Sequence, residues 1–139
     1  MKKFSKHWKS SKKPKKQRKY LAKAPIHLRR KLIKITLSKD LRKKHEKRNI
    51  SPRKGDSVKI LKGKFKGKQG KIIKINLKKI KIYVENIQVK KQEGSKVNVP
   101  LKPSSLEIIE LNLEDKKRLK KLKEINEKHS KEKTKEIKK

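Results

Sequence analysis

Between Arg53 and Leu111 apolar and polar positions alternate with a period of two. Val58 and Ile60 alternate with lysine; Ile73, Ile75 and Leu77 alternate with Lys74 and Asn76; Ile80, Ile82 and Val84 alternate with Lys81, Tyr83 and Glu85. Val97 and Val99 form a fourth run, stopped by Pro100, and Leu106 to Leu111 a fifth. Alternation of this kind marks half-buried strands. The breaks GKFKG, Lys78-Lys79, QEGS and PLKPSS lie between the runs, although Lys78-Lys79 is poor chemistry for a tight turn. Five short strands predict a mainly β fold, a small, strongly curved antiparallel barrel whose closure hides its edges. Ahead of it, Pro25 to Ile33 places proline at a helix start with apolar residues three and four apart. SKDLRKKHEKR follows with Ser38 as N-cap, Asp40 in the first turn, and Leu41 and His45 on one face. Both predict short helices. A further helix is expected from Asn112, with Leu119, Leu122 and Ile125 at a spacing of three, and fraying is expected beyond His129.

Charge changes this picture from a free domain to a bound one. The chain of 139 residues carries 49 Lys and Arg against 13 Asp and Glu, a formal charge of +36, and 29% of its residues are hydrophobic. Such a chain repels itself and calls for a polyanion. It has no cysteine, which removes disulfides and thiolate metal sites. No apolar run approaches a membrane span, and the basic N-terminus lacks the apolar stretch of a signal peptide, so a soluble protein without a membrane partner is expected. The first carboxylate is Asp40. The segments are therefore a basic N-terminal extension with short helices (1–52), the β domain (53–111), and a charged C-terminal helix and tail (112–139). Within the extension SSKKPKKQRKY has no apolar periodicity and is expected to be extended until phosphates neutralise it.

Candidate chemistry is concentrated in two places. GKFKGKQGK puts Gly63, Gly67 and Gly70 among Lys62, Lys64, Lys66, Lys68 and Lys71, a loop where phosphates can reach the backbone while ammonium groups surround them. The same glycines can equally serve the turn itself, and Gly70 can serve curvature or a bulge. Phe65 at the loop tip is expected to be exposed, ready to stack on a base; Tyr83 is expected to pack in the domain. In the arm, Lys12, Lys13, Lys15, Lys16, Arg18 and Lys19 face phosphates, and Trp8 and Tyr20, with no core nearby, are expected to stack on RNA. Asp56 beside a strand start reads as a turn or capping residue. His7, His27, His45 and His129 have no ligand spacing, so no metal and no cofactor is expected.

The stretch RKGDSVKILKGKFKGKQGKIIKI resembles the KOW motif. With KAPIHLRRKL and LSKDLRKKHEKRN before it, KIKIYVENI within the same unit and KPSSLEIIELNLEDKKR after it, the chain from about Tyr20 to Arg118 resembles the KOW-bearing ribosomal proteins of the large subunit, family twenty-four in bacterial naming, in their archaeal and eukaryotic form. The resemblance implies an SH3-like five-stranded barrel that binds the 5′ domain of the large-subunit RNA and joins early in assembly. It implies a place among neighbouring ribosomal proteins at the rim of the peptide exit tunnel of cytoplasmic ribosomes, with no homo-oligomer. It also places the family's N-terminal RNA-contacting segment on Pro25 to Lys31, thus on His27, Arg29, Arg30 and Lys31, its glycine-rich loop on Gly63, Gly67 and Gly70, and the start of its motif at Gly55-Asp56; Arg53 just ahead of that start is a further candidate for RNA contact. Where relatives usually have glycine after Val84-Glu85, this chain has Asn86. A KOW module of a transcription elongation factor is the alternative reading. An enzyme is disfavoured, because no G-x-S-x-G, no Walker loop and no metal-ligand cluster is present.

Overall fold

The structure is a computed structural model and describes residues 4, 5, 7, 11–116, 118 and 120. Helices α1 (Pro14–Lys23) and α2 (Ile26–Leu32) lead into strand β1 (Ile35–Leu37), helix α3 (Lys39–His45) and the short β2 (Asn49–Ile50). Strands β3 (Ser57–Ile60), β4 (Gln69–Asn76), β5 (Lys81–Val84), β6 (Gln88–Lys90) and β7 (Lys96–Asn98) follow, then a 3-10 turn at Pro103–Ser105 and β8 (Leu106–Glu110). Among the described residues no helix is long and apolar enough to cross a membrane.

All five sequence-predicted runs form strands, but they do not close into a five-stranded antiparallel barrel. The main sheet is open and six-stranded in the order β2-β1-β8-β3-β4-β5, while β6 and β7 pair apart as a hairpin. The sheet is also mixed, since β1 lies parallel to β8 with Thr36 opposite Glu107 and Leu37 opposite Ile108. The difference arises in the extension. Ile33, Ile35 and Leu37 are 2%, 0% and 0% exposed, so ITL supplies a strand to the core that a boundary at residue 52 assigns to the RNA-binding arm. These residues join Val58, Ile60, Ile72, Ile82, Val84, Leu106 and Ile108 in one apolar cluster.

Strand β4 differs in phase from the simple alternation. Its register against β5 slips between Ile72 and Lys74, a bulge in which Ile73 is the extra residue. Ile72 therefore points inward at 2% exposed while Ile73 points outward at 45%, and Ile75 and Leu77 return to the core side. The turn that follows does not depend on glycine: the Asn76 side chain accepts from the Lys79 amide at 3.0 Å, and Ile80 takes φ +51. Asn86 stands at φ +60, the left-handed conformation that asparagine tolerates better than most residues.

Within SSKKPKKQRKY, Pro14 to Tyr20 are helical rather than extended. Pro14 occupies the start of α1, where its missing N–H costs nothing, and lysine, arginine, glutamine, leucine and alanine are all good helix formers. Ser11 fixes the entry by accepting from the Lys13 amide at 3.2 Å and, through its carbonyl, from Gln17 Nε2 at 2.7 Å. Helix α3 starts as expected, with Ser38 Oγ accepting from the Leu41 amide. At the other end of the domain Asp115, not Asn112, caps the C-terminal turn, its side chain accepting from the Arg118 amide at 3.3 Å. Asn112 closes a local turn instead, accepting from the Glu114 amide. The expectations for Leu119, Leu122, Ile125 and the tail beyond His129 fall outside the described residues.

Candidate nucleic-acid interface

The loop between β3 and β4 is tied internally. Gly67 N–H donates to the Ile60 carbonyl at 2.8 Å, Lys66 N–H to Gly63 at 3.0 Å and Lys68 N–H to Phe65 at 3.2 Å. Those amides are thus spent within the loop, and the groups that stand out for an anion are ammonium groups. Lys62, Lys64, Lys66, Lys68 and, at the start of β4, Lys71 are exposed. Gly63 and Gly67 have φ of +95° and +88°, and a Cβ on either would meet nothing within 4 Å. Conformation, not crowding, requires glycine there, and the absent side chains leave an open surface. Gly67→Ala is expected to lower stability by about 1–2 kcal/mol, the cost of a left-handed L-residue, measured as a shift in the urea midpoint. Gly70 is a different case: its Cβ would lie 2.8 Å from the Glu85 carbonyl oxygen and 2.9 Å from Val84 Cγ1. Close approach of the Val84–Glu85 stretch requires glycine at this position. Phe65 is not an exposed tip. It packs against the core, with Lys68 Nζ 5.7 Å from its ring centroid.

In the extension, α1 has no buried residue, and Lys12, Lys13, Lys15, Lys16, Arg18 and Lys19 are all exposed. Tyr20 packs on Phe4 with ring centroids 4.9 Å apart, and Trp8 lies outside the described residues. On α2, His27, Arg30 and Lys31 face solvent. Arg29 turns inward: its guanidinium donates to the carbonyls of Ala24, Ala22 and Lys78. It clasps the two helices to the β4–β5 turn. Arg53 pairs with Asp115 at 2.9 Å.

Two features escape sequence reasoning. Asp56 is fully buried, its carboxylate accepting from Arg53 N–H at 2.7 Å, Asn112 N–H at 2.9 Å and both terminal nitrogens of Arg118 at 2.6 and 2.9 Å. Arg118 is one cation among 49, so no local signal singles it out; the only hint is an aspartate at the start of a strand that has to pair with something. The second is an open groove of about 700 Å³ beside the Arg29 clasp, lined by residues of α1, α2, β1 and the two turns that flank β5 and β8. Among the described residues no group of three or more His, Cys, Asp or Glu stands ready for a metal.

His45, at the end of α3, has a buried Nδ1 without a hydrogen-bond partner. Burial, then Lys44, Arg118 and Lys47, lower its pKa below the ordinary 6.5. The unfolded chain therefore takes up a proton before the folded one does, and stability is expected to fall as pH drops below about 6.5 and level off below the depressed folded value. Urea midpoints across that range, compared with His45→Gln, check it; the variant should lose this part of the slope.

A family model that describes the ribosomal proteins L26 of eukaryotes and L24 of archaea matches residues 11–125. The match takes in the helical extension, the sheet and the Asp56–Arg118 junction alike. The chain belongs to this ribosomal protein family, a structural constituent of the large ribosomal subunit.

Proposed function

We propose that the chain binds the 5′ region of the large-subunit RNA in the cytoplasmic ribosome, supports early assembly, and stands near the rim of the peptide exit tunnel beside neighbouring ribosomal proteins. The observation that carries RNA binding is α1, an ordered helix with no acid and no buried residue in PKKQRKYLAK. Its Lys15, Lys16, Arg18 and Lys19 are exposed, and counterion release from RNA gives them a use. The second contact is the loop of Gly63 to Lys68, where lysines supply charge and missing side chains let the RNA backbone approach. His27, Arg30 and Lys31 continue the surface from α2. Arg29 and Phe65 support it from within, Arg29 by holding the helices and Phe65 by anchoring the loop.

The salt dependence of affinity for a 5′ large-subunit RNA fragment tests this. Lys15, Lys16, Arg18 and Lys19 are exposed, so changing all four to glutamine is expected to leave the fold intact. The slope of log affinity against log salt is expected to become shallower by roughly 0.7–0.9 for each phosphate that the variant no longer neutralises. An unchanged slope removes α1 from the phosphate backbone.

A further inference from the structure

The groove beside the Arg29 clasp has a composition of its own. Its apolar floor includes Leu21 and Leu32, 40% and 41% exposed, with Ile80 and Pro103. Lys34, Lys78, Lys79, Lys81 and Lys102 line it, and among the described residues no carboxylate does. Thr36, Asn49 and Ser104 add uncharged polar groups. The clasp itself holds the walls in place, because Arg29 bridges Ala22 and Ala24 on one side to Lys78 on the other. Ile80 is a β-branched residue held at φ +51, a costly conformation that the surrounding structure has to maintain.

We infer that this groove receives one unstacked nucleotide of the bound RNA, its base against Leu21, Leu32 and Ile80 and its phosphates among the lysines. Charge complementarity selects the occupant. Five lysines without an opposing carboxylate call for an anion, an apolar floor calls for a flat uncharged face, and polar side chains suit base edges or a 2′-hydroxyl; a nucleotide has all three. A volume of about 700 Å³ lies within the range of small-ligand sites. An acidic, apolar peptide from a neighbouring protein is the competing occupant. The inference rests on the RNA-binding reading above and adds a base-recognising subsite to what is otherwise a phosphate surface.

Methyl NMR of the full chain tests it, with a 5′ large-subunit RNA fragment and inorganic polyphosphate as the two probes. RNA is expected to move the methyl signals of Leu21, Leu32 and Ile80 upfield through the ring current of a base, and polyphosphate is expected to leave them in place while shifting α1 amides. Leu21→Ser with Leu32→Ser is expected to weaken RNA affinity about tenfold with an unchanged salt slope, since every lysine that meets a phosphate is kept. If RNA shifts α1 but not these methyls, or polyphosphate shifts them equally, the nucleotide subsite is overturned while RNA binding stands. If RNA shifts neither, both fall. Groove methyls that respond only when a neighbouring ribosomal protein is added overturn the nucleotide in favour of the peptide.

Discussion

Arg118→Met is expected to destabilise the fold by about 3–5 kcal/mol, the usual result of removing one partner from a buried ion pair. Asp56 is 0% and Arg118 8% exposed, and the guanidinium meets both carboxylate oxygens at 2.6 and 2.9 Å. Without it, among the described residues, the carboxylate keeps the backbone amides of Arg53 and Asn112. Asp56→Leu alone should also be severe, since it leaves Arg118 charged and those amides unsatisfied. Combining the two changes should cost clearly less than the sum of the singles, because no charge is then left buried alone. Urea unfolding of the four proteins reads this coupling directly. Strict additivity would show that the pair, although close, contributes nothing jointly.

Gly70→Val is expected to cost about 3 kcal/mol or more, by overpacking. The wall it meets is the backbone carbonyl of Glu85 at 2.8 Å, which cannot swing away without disturbing the β4–β5 ladder at Ile72 and Val84. RNA affinity per folded molecule should remain that of the wild type, because the side chain grows toward β5 and not toward the open loop. A melt unchanged from wild type with weakened RNA binding would reverse the assignment of this glycine.

These two positions also show where the sequence stops speaking. Helices α2 and α3 were legible because their signals are local: Pro25 at one start, and Ser38 with Asp40 at the other. The strand runs were legible because alternation with lysine is itself the signature of a half-buried sheet. Strand β1 was not, since three residues of ITL fall between two cationic helices and become a strand through the two-residue β2 and through β8, far along the chain. The phase of β4 was hidden because the bulge at Ile73 is set by how β5 packs, which no run of isoleucines reveals. Of the candidate site, the exposed lysines of α1 and the glycine loop were legible as charge. The inward turn of Arg29 and the groove were not, because they join carbonyls and lysines from separate segments whose side chains look alike in sequence.

The parallel pairing of β1 with β8 has a consequence for how the chain acquires its structure during synthesis. Ile35 and Leu37 emerge first, yet their neighbour Ile108 follows about seventy residues later, an interval of several seconds at roughly 5–20 residues per second. Until then the sheet lacks its central joint, since β8 stands between β1 and β3. The N-terminal helices thus spend that interval attached to a strand whose single partner is the two-residue β2, and a chain interrupted before Leu106 leaves β1 with β2 and β3 with β4 and β5 as two pieces that nothing in the sheet joins.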